Sequence, residues 1–177
     1  MKRMPKKLIA TAVAGLLAAV GGMAVAQPAP NDAQIAGIVV AANSVDVDAG
    51  KLAEAVASGK EVKAFAHQMV VDHTGVNQQA GALVKKLNIA PEESDVSKSL
   101  RKGGDDNIAK LKTLSGKAFD KAYVDQEVTY HQAVLDALDK TLIANAKNAE
   151  LKDLLVKVRP AFVAHLEHAK HIQASLK

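Results

Sequence analysis

Residues 27–177 are predicted to form one all-α domain, an antiparallel four-helix bundle with a short helical segment between the second and third long helices. Three observations predict this fold class. Apolar residues recur at intervals of three and four along four long stretches, which is typical of helices with one buried face. Alternating strand patterns with hairpin turns are nearly absent, and alanine, the best helix former, is abundant.

Residues 1–26 are predicted to be a cleavable signal peptide. Basic residues open the chain, and the apolar run LIATAVAGLLAAVGG follows them. The sequence AVAQ then offers a small-residue cleavage site after Ala26, so we expect the protein in the periplasm or outside the cell. Because the apolar run is short and interrupted by glycine, we expect no transmembrane anchor after cleavage.

The net charge of +4 belongs to this leader. The four basic residues in excess of the acids are Lys2, Arg3, Lys6 and Lys7, so residues 27–177 are formally neutral. That balance gives no reason to expect nucleic-acid binding. The chain has no cysteine, which excludes disulfides, thiolate metal ligands and covalently attached c-type haem. The partners and the oligomeric state stay open, a homo-oligomer included.

The first two long helices are expected at about 32–57 and 60–87. Ser58 and Glu61 have the spacing of a capping box for the second helix, and Pro91 disfavours helix in the residue before it. Residues 94–115 are expected to hold two short helical pieces, divided at Gly103-Gly104. This segment is the short connection between the two halves of the bundle.

The third and fourth long helices are expected at about 118–145 and 148–175. Pro160 falls inside the last helix, where a proline removes one backbone hydrogen bond and is expected to kink the helix or open its ladder. An antiparallel bundle is the natural way to bury the apolar stripes of four such helices against one another.

Each of the four stripes also carries ionisable residues in the same helical phase. Five of them fall on a stripe and are expected to point inwards: Asp46, His73, Glu127, His131 and His165. Two more, Asp72 and His168, lie at the edge of a stripe. The five inner positions lie near the middle of their helices, so antiparallel packing is expected to bring them to a common level.

Burying an unpaired carboxylate or imidazole costs several kcal/mol or shifts its pKa until the group is neutral, so these groups are expected to satisfy one another. One solution is a metal ion held by carboxylates and imidazoles, with iron, manganese or zinc as candidates. The other is a metal-free hydrogen-bond network. Taken singly, each histidine also fits an ordinary core position; only the conjunction across four helices favours a metal. Tyr123 and Tyr130 flank this level and are expected as core or boundary tyrosines, or as hydrogen-bond donors to a ligand.

Several stretches of the sequence resemble the exported bacterial proteins of the domain of unknown function 4142 family. They are AANSVDVDAGKLA at 41–53, VKAFAHQMVVDH at 62–73, FDKAYVDQEVTYH at 119–131, and His165 after RPAF. The resemblance covers nearly all of residues 27–177 and implies a ferritin-like helical bundle. Ferritin-like folds suggest a di-iron or di-manganese site, but the Glu-x-x-His pairs of such sites are missing here, because apolar residues stand three positions before His73, His131 and His165.

Three functions are considered, in decreasing order of support. The first is transition-metal binding by the five inner residues, with the two edge residues as peripheral candidates. The second is a structural or partner-binding bundle whose buried histidines respond to pH, because charging them would loosen the core. The third is a di-metal oxidase or peroxide-consuming enzyme, which requires an open coordination position that the sequence does not show.

Overall fold

The computed structural model describes residues 29–176, so the predicted signal peptide lies outside the described residues. Four long helices and a shorter one make up the described chain. Helix α1 spans Asp32–Val56, α2 spans Lys60–Lys86, and the shorter α3 spans Asp95–Leu111. Helix α4 begins as Gly116–Ala137, passes through a π-helical turn at Leu138–Leu142 and ends as Ile143–Asn145, and α5 spans Ala149–Ser175.

The long helices form two antiparallel hairpins, α1–α2 and α4–α5, with short turns at residues 57–59 and 146–148. Helix α3 runs back alongside α1, so α4 starts at the same end of the bundle as α2. Each long helix therefore lies antiparallel to both of its neighbours, since α1 packs against α2 and α4, and α5 packs against α4 and α2. The predicted all-α class and four-helix arrangement are confirmed.

The turn of the first hairpin is held by a carboxylate from the second. Asp120, which is buried near the start of α4, accepts hydrogen bonds from the backbone N–H groups of Ser58 and Gly59, both at 2.8 Å, and from the Ser58 hydroxyl at 2.6 Å. These amides precede α2, whose N-cap residue Gly59 has no side chain to satisfy them. The predicted cap by Ser58 and Glu61 is therefore wrong, because the Ser58 hydroxyl donates to Asp120 instead.

The turn of the second hairpin is held in the same way by the first. Asp32, at the start of α1, accepts hydrogen bonds from the backbone N–H groups of Lys147 and Asn148 at 2.8 and 2.9 Å. Hydrogen bonds from amides to a carboxylate are stronger than those between neutral groups. Each hairpin therefore fixes the position of the other at one end of the bundle.

Helix α3 is a single helix, whereas the sequence predicts two short helical pieces. It runs unbroken through Gly103-Gly104, and its N-terminus is capped by Ser94, which forms a reciprocal capping box with Ser97. A Cβ added at the second of these glycines would lie 2.8 Å from a γ-carbon of Val45 in α1. The glycine that seemed to divide the helix instead allows α3 to pack closely on α1, and this packing outweighs the low helix propensity.

Apolar side chains fill both halves of the bundle, and buried polar side chains occupy the middle. One cluster includes Ile35, Leu135 and Leu155, and the other includes Phe65 and Ile172. The remaining helix limits closely match their predictions, and α5 continues through Pro160 without a break. Among residues 29–176, no helix combines the length and the hydropathy needed to cross a bilayer.

We expect Asp120→Ala to lower the free energy of unfolding by about 3 kcal/mol, because it removes a charged acceptor from three donors in a partly buried turn. Urea unfolding followed by circular dichroism measures the change. Asp136→Ala is the matched control on the same helix, since the exposed ion pair of Asp136 with Lys140 is screened by solvent and should contribute much less to stability. Equal losses in the two variants would contradict the role given to Asp120.

We also expect the same substitution to have opposite effects at two helical glycines. At Gly37 an added Cβ would lie 2.0 Å from the backbone oxygen of Glu92, so Gly37→Ala must displace the connection before α3 and should cost about 1–3 kcal/mol. At Gly81 on α2 there is no atom within 4 Å of an added Cβ, so Gly81→Ala should stabilise the protein by about 0.5–1 kcal/mol. Thermal unfolding of both variants tests this prediction. If Gly37→Ala were as stable as Gly81→Ala, the close approach of Glu92 to Gly37 would be contradicted.

Candidate metal centre

A layer of buried polar side chains lies between the two apolar clusters. Asp46, His73, Glu127, His131 and His165 come from all four long helices, and none is more than 3% exposed. On every helix the layer has one apolar cluster before it and the other after it. The structure therefore brings together the five residues that the helical phase placed inside.

The three histidines of the layer form a nearly equilateral triangle. Their ring centroids are 5.5 Å apart for His73 and His131, 5.2 Å for His73 and His165, and 5.4 Å for His131 and His165. One nitrogen from each ring lies within 4.8 Å of the other two. The ring of Phe162 packs against His73 at 5.1 Å.

Asn43 fixes the ring of His73. The side-chain amide of Asn43 donates a hydrogen bond to the Val39 carbonyl at 2.7 Å, which turns its oxygen towards the histidine. His73 Nδ1 lies 2.7 Å from that oxygen. Because an amide oxygen only accepts, Nδ1 of His73 carries the proton.

The other two imidazoles also donate to oxygen atoms that can only accept. His131 Nδ1 lies 3.1 Å from the backbone oxygen of Glu127, one helical turn earlier. His165 Nε2 lies 2.9 Å from a carboxylate oxygen of Asp72 on α2. In each ring one nitrogen is therefore the donor, and the orientation of the ring is set by its partner.

The second nitrogen of each ring is buried without a hydrogen-bond partner among the described residues. These atoms are Nε2 of His73, Nε2 of His131 and Nδ1 of His165. In a neutral imidazole whose other nitrogen carries the proton, such an atom presents a lone pair. Metal-binding histidines have this arrangement, with one nitrogen donating to an oxygen and the other free for the ion.

Two carboxylates complete the layer on the α1 and α4 side. An oxygen of Asp46 lies 3.4 Å from the free nitrogen of His73, and an oxygen of Glu127 lies 3.3 Å from His131 Nδ1. That oxygen of Glu127 is buried and has no hydrogen-bond partner among residues 29–176. Asp46, Glu127 and His131 each offer a ligand atom within 4.8 Å of the others, so His131 belongs to both groups and joins them into one cluster.

Burial favours the uncharged forms of Asp46, His73 and His165. It raises the pKa of Asp46 well above the usual range, and the neighbouring Glu127 carboxylate raises it further. Burial lowers the pKa of His73 well below the usual range, and the imidazoles of His131 and His165 lower it further. Burial also lowers the pKa of His165, although its hydrogen bond to Asp72 opposes the change. The cluster therefore favours a protonated Asp46 and neutral His73 and His165 rings when no cation is bound.

Two tyrosines border the cluster on α4. The Tyr123 hydroxyl is fully buried, and burial, together with the nearby Glu127 carboxylate, raises its pKa. Tyr130 donates a hydrogen bond at 3.0 Å to the backbone oxygen of Ala42, which links α4 to α1. Burial raises the pKa of Tyr130 as well, so both hydroxyls remain protonated donors.

The two edge residues of the predicted set lie outside the convergent groups. Asp72 is 41% exposed at its side chain and orients His165 from the surface. His168 Nδ1 lies 3.2 Å from the side-chain oxygen of Gln68, and its ring packs edge-on against Phe65. Asp72 therefore orients a candidate ligand, whereas His168 contacts Gln68 and Phe65 instead.

One residue that the sequence analysis missed is Asn43. It lies four residues after Val39 and three before Asp46, so it falls on the stripe of α1 that carries the candidate ligands. The periodicity could have found it if amides had been considered along with ionisable groups. The contact with His73, thirty residues away, is a matter of tertiary packing.

The fold and the layer define a class of protein, an all-α four-helix bundle whose buried histidine and carboxylate groups could hold a metal ion. The chain belongs to the family described as Domain of unknown function (DUF4142), whose family model matches residues 18–172. This match confirms the family that the sequence motifs resemble. The chain has no match among the curated proteins and none among the solved structures.

We expect the metal-free protein to respond to pH through its buried histidines. Because the pKa values of His73 and His165 are lower in the folded than in the unfolded protein, protonation favours unfolding as pH falls from about 7 through the unfolded value near 6.5. The raised pKa of Asp46 acts in the opposite direction, since protonation of this acid favours the folded state. The contribution of one histidine is therefore measured as a difference between variants.

The experiment compares wild type with His165→Gln in the presence of a chelator, by urea unfolding at pH 7 and pH 5. The wild type should lose more stability than the variant over this interval, by up to about 1.4 kcal/mol per pH unit for one proton. His171→Gln, which removes an exposed imidazole at the end of α5, is the control and should keep the wild-type dependence. Identical pH dependence in all three proteins would exclude a role for His165.

Proposed function

We propose that this protein binds a transition-metal ion in the middle of its bundle. Three buried imidazoles carry this proposal, because each has one nitrogen without a hydrogen-bond partner among the described residues, and one nitrogen from each ring lies within 4.8 Å of the other two. A buried acceptor without a partner costs about 1–3 kcal/mol, so three of them in one core call for a shared partner. A cation bound by His73, His131 and His165 satisfies all three.

The donor set favours a borderline divalent cation. Imidazoles and carboxylates without thiolates suit iron, manganese or zinc. Metal–ligand bonds of about 2 Å put ligand atoms around one ion no more than about 4 Å apart, so nitrogens within 4.8 Å need only small side-chain adjustments. Asp46 and Glu127 add negative charge beside the imidazoles and serve as further ligands.

A second candidate function is a metal-free structural or partner-binding bundle that responds to pH. The lowered pKa values of His73 and His165 support it, because both rings are more readily protonated in the unfolded chain. The two functions differ in a simple observable, which is whether the native protein holds a metal.

We expect the native protein, purified without a histidine tag, to contain one metal ion per chain. The double variant His131→Ala/His165→Ala should lose it, because two of the three convergent nitrogens are removed. His168→Ala/His171→Ala removes the same number of imidazoles from outside the cluster and should keep the ion. Native mass spectrometry measures the bound ion, and the chain mass also tests the start at Gln27 that export predicts.

Circular dichroism establishes that each variant still folds, and added metal should raise the stability of the wild type and of His168→Ala/His171→Ala but not that of His131→Ala/His165→Ala. At a free metal concentration of a hundred times Kd the gain should be about 2.7 kcal/mol. A native protein that contains no metal and takes up no iron, manganese, zinc or copper would contradict the proposal and favour the pH-responsive network. Equal metal loss in both double variants would contradict the assignment of the ligands.

A further inference from the structure

The cluster is covered on its imidazole side. Phe162 and Asn43, both buried, pack against the ring of His73 or hydrogen bond to it. A carboxylate oxygen of Asp72 on α2 accepts a hydrogen bond from Nε2 of His165 on α5. These contacts hold the rings of His73 and His165 in place from that side.

The carboxylate side is open. Asp46 and Glu127 line a pocket of about 590 Å³ that is enclosed by α1, α3 and α4. One oxygen of Glu127 is buried without a hydrogen-bond partner among the described residues, and the Glu127 side chain lines this pocket beside Asp46. The pocket therefore borders the two carboxylate residues of the cluster.

The lining of the pocket suits a cation. Oxygen-bearing side chains predominate among its polar residues, and no Lys or Arg is among the lining residues that the structure describes. Besides the two carboxylates of the cluster, the polar lining residues are Asp95, Ser99, Asn107, Gln126 and Tyr130. A cleft lined by charge of one sign raises the local concentration and the association rate of the opposite charge.

The pocket is also large enough for a hydrated ion. At about 30 Å³ per water, its volume of about 590 Å³ corresponds to roughly twenty water molecules. A divalent ion with six waters needs about 180 Å³ for those waters. The ion can therefore enter hydrated and exchange its waters for side-chain oxygens at the inner end.

Two neighbouring glycines shape the mouth of this pocket. Gly104 brings α3 close to α1, because any side chain there would collide with Val45. Gly103 is exposed on the rim, with no atom within 4 Å of an added Cβ. Helix α3 therefore packs tightly against α1 at Gly104 and leaves open space beside Gly103.

We propose that the pocket under α3 is the route by which a hydrated divalent cation reaches the cluster. This inference rests on the proposed function, since a route has meaning only if the cluster binds metal. On this route the rate of metal uptake depends on the electrostatic potential at the rim beside Gly103, whereas the metal affinity is set by the five buried residues.

The test is stopped-flow uptake of Co²⁺ by the metal-free protein, followed by the visible absorption that develops as protein ligands bind the ion. Gly103→Lys places a positive charge on the rim and should slow uptake about tenfold at low ionic strength, while 0.5 M salt should remove most of the difference. Gly103→Glu should not slow uptake. Gly81→Lys is the matched control, because Gly81 is also an exposed helical glycine with open space around it, but lies on α2 away from the pocket.

The affinity for Co²⁺ at equilibrium should stay within about threefold of wild type in all three variants, since a charge on the route but away from the ligands raises the barrier to entry and to release alike. Uptake at the same rate in Gly103→Lys and Gly81→Lys, with wild-type affinity in both, would overturn the route and leave the proposed function intact. A wild-type protein that binds no Co²⁺ and no other divalent metal would overturn both. Slowing by Gly103→Lys alone, relieved by salt, would establish the route.

Discussion

The need to satisfy five polar side chains at the centre of an apolar bundle constrains the rest of this structure. Each long helix places its polar position between two apolar clusters, so a shift of one helix by a single turn of 5.4 Å would put carboxylates or imidazoles against aliphatic side chains. Burying such groups without partners costs several kcal/mol. The layer therefore fixes the relative register of the four helices, which the apolar contacts alone would specify less strongly.

Hydrogen bonds between the two hairpins at the ends of the bundle reinforce that register. Asp120 on α4 holds the turn of the α1–α2 hairpin, and Asp32 on α1 holds the turn of the α4–α5 hairpin. The cluster is divided between the hairpins in a related way, because each supplies a carboxylate from its first helix and a histidine from its second. Since neither hairpin contains the whole ligand set, the cluster exists only when the two are docked, and any ion that binds it stabilises the folded state.

Much of this arrangement could be predicted because it follows from helical phase. A residue three or four positions from apolar neighbours on both sides must face the core, which identified the helices and the five inner residues without any tertiary information. The edge residues show where phase stops being informative. His168 lies one turn after His165, yet its neighbours are Gln68 and Phe65, and only packing decides that.

Other features depended on contacts between residues distant in sequence. The role of Asp120 rests on partners more than sixty positions away, so no local pattern distinguishes it from an ordinary helical aspartate. The continuity of α3 was mispredicted for the same reason, since two adjacent glycines disfavour a helix locally while one of them is required by the approach to α1. The contacts and conformation of such residues depend on tertiary structure, and the local sequence alone does not predict them.

The two sides of the cluster have different physical characters, and the difference bears on what a bound ion could do. The imidazoles of His73, His131 and His165 are held by oxygens behind them, so their orientation is set before any ion arrives. The carboxylate side is less constrained, because one oxygen of Glu127 has no hydrogen-bond partner among the described residues and the side chains of Asp46 and Glu127 border the pocket under α3. Structural metal sites are closed by protein ligands, whereas catalytic sites keep one position open. In the proposed metal site, the number of oxygens that Asp46 and Glu127 contribute would decide between a closed site and one that accepts an external ligand.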